Sequence, residues 1–130
     1  MVTYQRNIKR QGFTLIEILL VMALVALLLT IAVPRFFGSL EKSRETALQE
    51  NLKVMRIALD KYYADKGNYP ESLDKLVEDK YLRALPIDPI TESSGTWVAV
   101  TATDEAINGI SDIKSGATGT AIDGTPFSSF

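Results

Sequence analysis

Gly12-Phe13-Thr14-Leu15-Ile16-Glu17 opens an apolar run that continues to Val33, and it places a single carboxylate inside a stretch long enough to cross a membrane. Phe13 to Val33 is 21 residues, and Glu17 is the only ionisable side chain among them. At 1.5 Å per residue such a helix spans a hydrocarbon core. A carboxylate within it costs on the order of 2.5 to 3.5 kcal/mol on insertion scales unless it lies near an interface or meets a cation. Working outward, the twelve residues before Phe13 carry Arg6, Lys9 and Arg10 and no acid. The positive-inside bias therefore puts the amino terminus in the cytoplasm and everything after Val33 on the far side. A secretory signal would place its cleavage site beyond the apolar region, whereas here the best candidate, Gly12, precedes it.

The motif Gly12-Phe13-Thr14-Leu15-Ile16-Glu17 resembles the prepilin signature of type IV pilins and type II secretion pseudopilins. The resemblance implies a leader peptide over residues 1–12, cleavage after Gly12 by prepilin peptidase, and N-methylation of the new terminal Phe13. It also implies that Glu17 meets the terminal amine of a neighbouring copy during assembly. Snorkelling of Glu17 to the cytoplasmic interface with no partner is the bland alternative.

Composition narrows the function classes. Without the three leader cations the 14 basic side chains fall to 11 against 16 acidic ones, a net charge of about −5. No basic stripe interleaved with aromatics is present, so no nucleic-acid partner is expected. The chain has no cysteine and no histidine. That removes thiol nucleophiles, serine–histidine triads and histidine-ligated zinc, and no enzyme is expected. Many type IV pilins close their carboxy-terminal region with a disulfide, so the missing cysteines suit the pseudopilin branch better.

Pro34 has no N–H for the carbonyl of Thr30, so it predicts either a stop at the outer interface or a weak point that yields during assembly. Beyond it, residues 34–66 read as an amphipathic continuation of the helix. Leu40, Ala47, Leu48, Leu52, Met55, Leu59, Tyr62 and Tyr63 recur on one face, and Arg56 is spaced to pair with Asp60. Gly67 suits a left-handed cap. From Phe13 to Asp65 the helix would measure roughly 80 Å, more than a small globular part covers, so the excess calls for a bilayer or other copies of the chain.

Residues 67–130 form the globular part. Tyr69 to Val77 predicts a short helix with Pro70 near its first turn and Leu73, Leu76 and Val77 inward. Pro86 and Pro89 impose extended geometry on Leu85 and Asp88. Trp97–Thr101 and Ile110–Lys114 read as strands with Asn108-Gly109 supplying the turn, and Trp97 reads as a packing anchor. The fold class expected is α+β: a pilin-like long N-terminal helix, half transmembrane (13–33) and half amphipathic, packed on a small antiparallel sheet. The combination of Gly67-Asn68-Tyr69-Pro70 with Leu85-Pro86 and Asp88-Pro89 resembles the segment after the long helix in major pseudopilins of type II secretion. Major pseudopilins bind calcium in carboxy-terminal loops, and the resemblance makes Asp112, Ser115 and Asp123 the candidates for a hard cation.

The function so implied is a structural subunit of a periplasmic pseudopilus that drives type II secretion of folded proteins across the outer membrane. The alternative is a type IV pilin subunit for adhesion, twitching motility or DNA uptake. Expected partners are further copies of the chain in a helical homopolymer, minor pseudopilins, prepilin peptidase, and the inner-membrane assembly platform with its ATPase. The expected location is the inner membrane in a single pass, then the periplasmic filament. An enzymatic or ligand-binding domain on a membrane anchor is a third reading, with no constellation of polar residues to support it.

Overall fold

The computed structural model describes residues 1–4 and 11–130 of the chain. Arg6, Lys9 and Arg10, on which the cytoplasmic anchor and much of the 1–12 leader rest, lie outside the described residues. The chain divides into two units, Met1–Gly38 and Ser39–Phe130. The elements in chain order are helix α1 (Leu15–Lys66), helix α2 (Asp74–Glu78), strands β1 (Val98–Thr101) and β2 (Ile110–Lys114), and a 3-10 turn at Phe127–Ser129.

In the first unit α1 starts at Leu15, and Pro34 lies inside the helix, so the proline does not act as its stop. The absent N–H removes one helical bond, to Thr30, and the helix continues through the proline. Every large apolar side chain from Leu15 to Val33 is exposed, from 44% at Val33 to 82% at Leu15. Among the described residues of this unit, none covers this surface.

In the second unit the buried residues of α1 are Leu48, Leu52, Met55, Ala58, Leu59 and Tyr62. Their three- and four-residue spacing makes one stripe, and each fully buried leucine contributes about 1.5 to 3 kcal/mol. Leu40 and Ala47, expected on that stripe, are exposed; the buried stripe begins at Leu48. Ala58 belongs to the stripe and Tyr63 is half-buried at its edge. Against the stripe pack Leu76, Trp97, Ile110, Ile113, Ala117, Ala121 and Phe127, which completes one core. α1 ends at Gly67, whose φ of 75° is left-handed and whose N–H donates to the Tyr63 carbonyl at 2.8 Å.

The short helix α2 covers Asp74–Glu78 rather than starting beside Pro70. The Pro70 carbonyl, which a longer helix would need, accepts instead from Ile110 N–H (2.8 Å), and Tyr69 N–H donates to the Asn108 carbonyl (3.2 Å). Leu76 is fully buried, while Leu73 and Val77 are half-buried.

β1 and β2 pair antiparallel, with Val98 opposite Lys114, Ala99 opposite Ile113, Val100 opposite Asp112 and Thr101 opposite Ile110. Ser111 is thus the extra residue of a bulge. Two residues three apart in a regular strand face opposite sides of a sheet; the bulge shifts the phase so that Ile110 and Ile113 both enter the core. β1 starts at Val98, because the Trp97 side chain is turned inward with its indole N–H donating to the Pro86 carbonyl (2.8 Å). Asn108-Gly109 does not make a tight two-residue hairpin, since residues 102–109 lie between the strands. Two strands alone are marginal in water, so the sheet depends on the helix it covers.

Arg56 does not pair with Asp60. Its Nε donates to Asp112 Oδ1 at 2.8 Å and its Nη2 to the Ile113 carbonyl at 2.9 Å, fastening α1 to β2. At the end of α1, Lys66 Nζ meets Asp79 Oδ2 at 2.6 Å and lies over the Tyr62 ring. That contact raises the Lys66 pKa above the ordinary lysine value and lowers that of Asp79 below the ordinary carboxylate value, the hydrogen bond between them being the largest cause in each.

Candidate assembly site

The first turn of α1 is closed by its own side chains. Glu17 N–H donates to Thr14 Oγ1 at 3.2 Å, Thr14 N–H donates to Glu17 Oε2 at 3.4 Å, and Ile18 N–H bonds the Thr14 carbonyl at 3.2 Å. This is a capping box in which Thr14 and Glu17 satisfy each other's backbone donors at the helix start. The carboxylate also lies at the positive end of the helix dipole. Thr14 was not singled out from the residues, although Thr14-Leu15-Ile16-Glu17 ahead of an apolar run carries the threonine-to-glutamate spacing that signals such a box. Glu17 lines a groove with Phe13, Ile18, Val21 and Met22. A carboxylate is therefore presented among apolar side chains, next to the residue whose amine would be freed by cleavage after Gly12.

Gly12 itself is unconstrained by the fold. A Cβ built there meets no other atom of the described residues within 4 Å. Any demand for glycine at this position must then come from an outside catalyst that closes on the peptide bond, not from the protein's own packing. Replacing Gly12 by leucine is expected to leave insertion and folding unchanged and to block processing, seen as uncut precursor on a gel; ordinary processing of the variant would refute Gly12 as the cleavage site.

The three residues named for calcium do not share a site. Asp112 is engaged by the Arg56 guanidinium and accepts from Ile113 N–H at 2.8 Å. Ser115, 1% exposed, donates to Asp88 Oδ2 at 2.7 Å and accepts from Ala117 N–H at 3.1 Å. Asp123 caps its own turn, accepting from Thr125 N–H at 2.9 Å, and the backbone and hydroxyl of Thr125 together hold its pKa below the ordinary carboxylate value. Among the described residues no three acidic side chains come together, and the three candidates are each engaged by separate partners. The donor set does not fit calcium. Asp88, which the sequence marks only as a residue held extended before Pro89, is the fully buried acid of this region.

A capped helix whose apolar surface has no cover, an acid in its first turn and a small α+β head define the pilin-like class. The family model of the prokaryotic N-terminal methylation motif matches residues 7–33. The chain is 31% identical to type II secretion system core protein G of Escherichia coli (strain K12), with 62% of this chain and 67% of the relative covered. It is 32% identical to core protein G of Klebsiella pneumoniae, covering 62% and 69%. The type IV major pilin protein PilA of Myxococcus xanthus is 30% identical, over 54% of this chain and 32% of that protein. No solved structure matches the chain. The chain belongs to the type II secretion system core protein G family, the major pseudopilins.

Proposed function

We propose that this chain is the repeating structural subunit of a periplasmic pseudopilus that helps move folded proteins across the outer membrane. The observation that carries the reading is the wholly exposed apolar stretch Leu15–Val33, which contains one acid and begins at a motif for N-terminal methylation. The precursor lies in the inner membrane with its amino terminus in the cytoplasm. Prepilin peptidase cuts after Gly12 and methylates Phe13. The freed amine of one subunit then receives the Glu17 carboxylate of the next, and the apolar helices exchange lipid for one another. A head-to-tail contact that does not close on itself generates a filament. The inner-membrane platform and its ATPase drive the addition of subunits, and minor pseudopilins accompany them.

A type IV pilin role is the second reading, favoured by the similarity to PilA. That similarity spans only 32% of PilA, whereas the core protein G relatives are matched over about two thirds of their length. Deleting the gene and scoring exoprotein release separately from surface fibres and motility tests the choice. Loss of release with intact motility is expected; loss of surface fibres and motility with normal release would replace the pseudopilus reading by the pilin one.

A further inference from the structure

Asp88 is a carboxylate with no exposed surface and no cation among its hydrogen-bonding partners. A buried carboxylate must have its lone pairs occupied. Its Oδ1 accepts from Ile90 N–H at 2.8 Å and from Thr91 N–H at 3.4 Å, and its Oδ2 accepts from Ser115 Oγ at 2.7 Å. Every one of these partners is a hydrogen donor, whereas a calcium ion needs six to eight oxygen acceptors turned toward one point. The backbone of Asp88 is pinned as well, by Asp88 N–H to the Ser93 carbonyl (3.0 Å) and Glu92 N–H to the Asp88 carbonyl (2.7 Å). The 88–93 turn is therefore rigid, and Ser115 ties the carboxy-terminal segment to it.

Two further ties hold that segment. Gly116 lies so close to the Thr96 carbonyl that no side chain fits between them. Farther along, Ile122 N–H donates to Glu45 Oε1 of α1 at 2.6 Å. The remaining acids of the segment are already committed, Asp112 to a guanidinium that repels a second cation and Asp123 to its own turn. All these ties are formed by the protein alone.

We infer that the carboxy-terminal segment is fastened by a metal-free clasp, the buried Asp88 carboxylate gripping Ser115, and that the head holds its structure without calcium although its family resemblance implies that ion. The inference stands whether or not the chain polymerises, so it and the proposed function fail separately. The test is thermal unfolding of the full chain in detergent, followed by Trp97 fluorescence, since Trp97 is in the core and its indole bonds the Pro86 carbonyl, two residues before Asp88. The wild-type midpoint in a chelator is expected to equal that in excess calcium to within about 1 °C, because losing even 1 kcal/mol would shift it by roughly 4 to 8 °C. Ser115→Ala strands a buried carboxylate oxygen and is expected to lower the midpoint by roughly 5 to 15 °C in both media. Asp123→Ala is expected to behave identically with and without calcium. A midpoint that calcium raises by several degrees in the wild type, and no longer raises in Asp123→Ala, would overturn the inference. So would a Ser115→Ala midpoint equal to that of the wild type. The wild-type comparison decides the metal question even if Ser115→Ala does not fold.

Discussion

Glu17→Ala is expected to insert into the membrane and to be cut after Gly12, yet to be absent from filaments. Truncation removes the carboxylate proposed to pair with a neighbour's freed amine and would leave that amine unpaired in apolar surroundings. The difference is about 2.5 to 3.5 kcal/mol on insertion scales, which is on the order of a hundredfold in incorporation per subunit. Two roles are mixed in Glu17, since it also closes the capping box with Thr14. Thr14→Ala separates them: it opens the box at a cost of about 1 kcal/mol but keeps the charge, so incorporation is expected to fall by less than about tenfold. The readout is the amount of each processed variant in sheared and pelleted filaments against the amount in membranes. Normal filaments from a strain carrying only Glu17→Ala would eliminate the proposed pairing, and equal losses in the two variants would assign Glu17 to helix capping instead.

Gly109→Ala is expected to unfold the head at ordinary temperatures. Gly109 has φ of 111°, and a Cβ there would lie 2.6 Å from the Tyr69 carbonyl carbon and 2.8 Å from the Pro70 carbonyl oxygen. Both are backbone atoms, held by the Tyr69-to-Asn108 and Ile110-to-Pro70 hydrogen bonds, so neither can give way like a side chain. Backbone strain of about 1 to 3 kcal/mol adds to an overpacking cost of about 1 to 3 kcal/mol. For a head of this size the combined loss of about 2 to 6 kcal/mol lowers the melting midpoint by roughly 10 to 40 °C. Gly67 is the internal control. It is also left-handed, at φ of 75°, but a Cβ there meets nothing within 4 Å. Gly67→Ala is therefore expected to cost only about 1 kcal/mol. Similar melting of the two variants would show that the crowding at Gly109 carries no weight.

These residues also mark the boundary of what was legible. The long helix, its left-handed cap at Gly67, the inward stripe through Leu48, Leu52, Met55, Leu59 and Tyr62, and the two strands were readable because each is written in neighbouring residues as periodicity or as a turn signal. Arg56 was not readable as a clamp on β2. Spacing offered Asp60 four residues away, and Asp112, 56 residues away, wins because the fold brings it to 2.8 Å. The start of α2 is not readable either, since the Pro70 carbonyl that a longer helix would use is claimed by Ile110 N–H, 40 residues on. Thr14 was legible in principle, since the capping box is local.

Residue order alone determined the membrane-length apolar run with its single acid and the α+β class of the head, because both follow from local chemistry along the chain. Tertiary structure alone decided that Asp88 is the buried acid, that Ser111 is a bulge which turns Ile110 and Ile113 to the same side, and that Asp112, Ser115 and Asp123 face separate partners. Each of these depends on groups distant in the chain competing for the same hydrogen bonds or the same core, and only folding settles that competition.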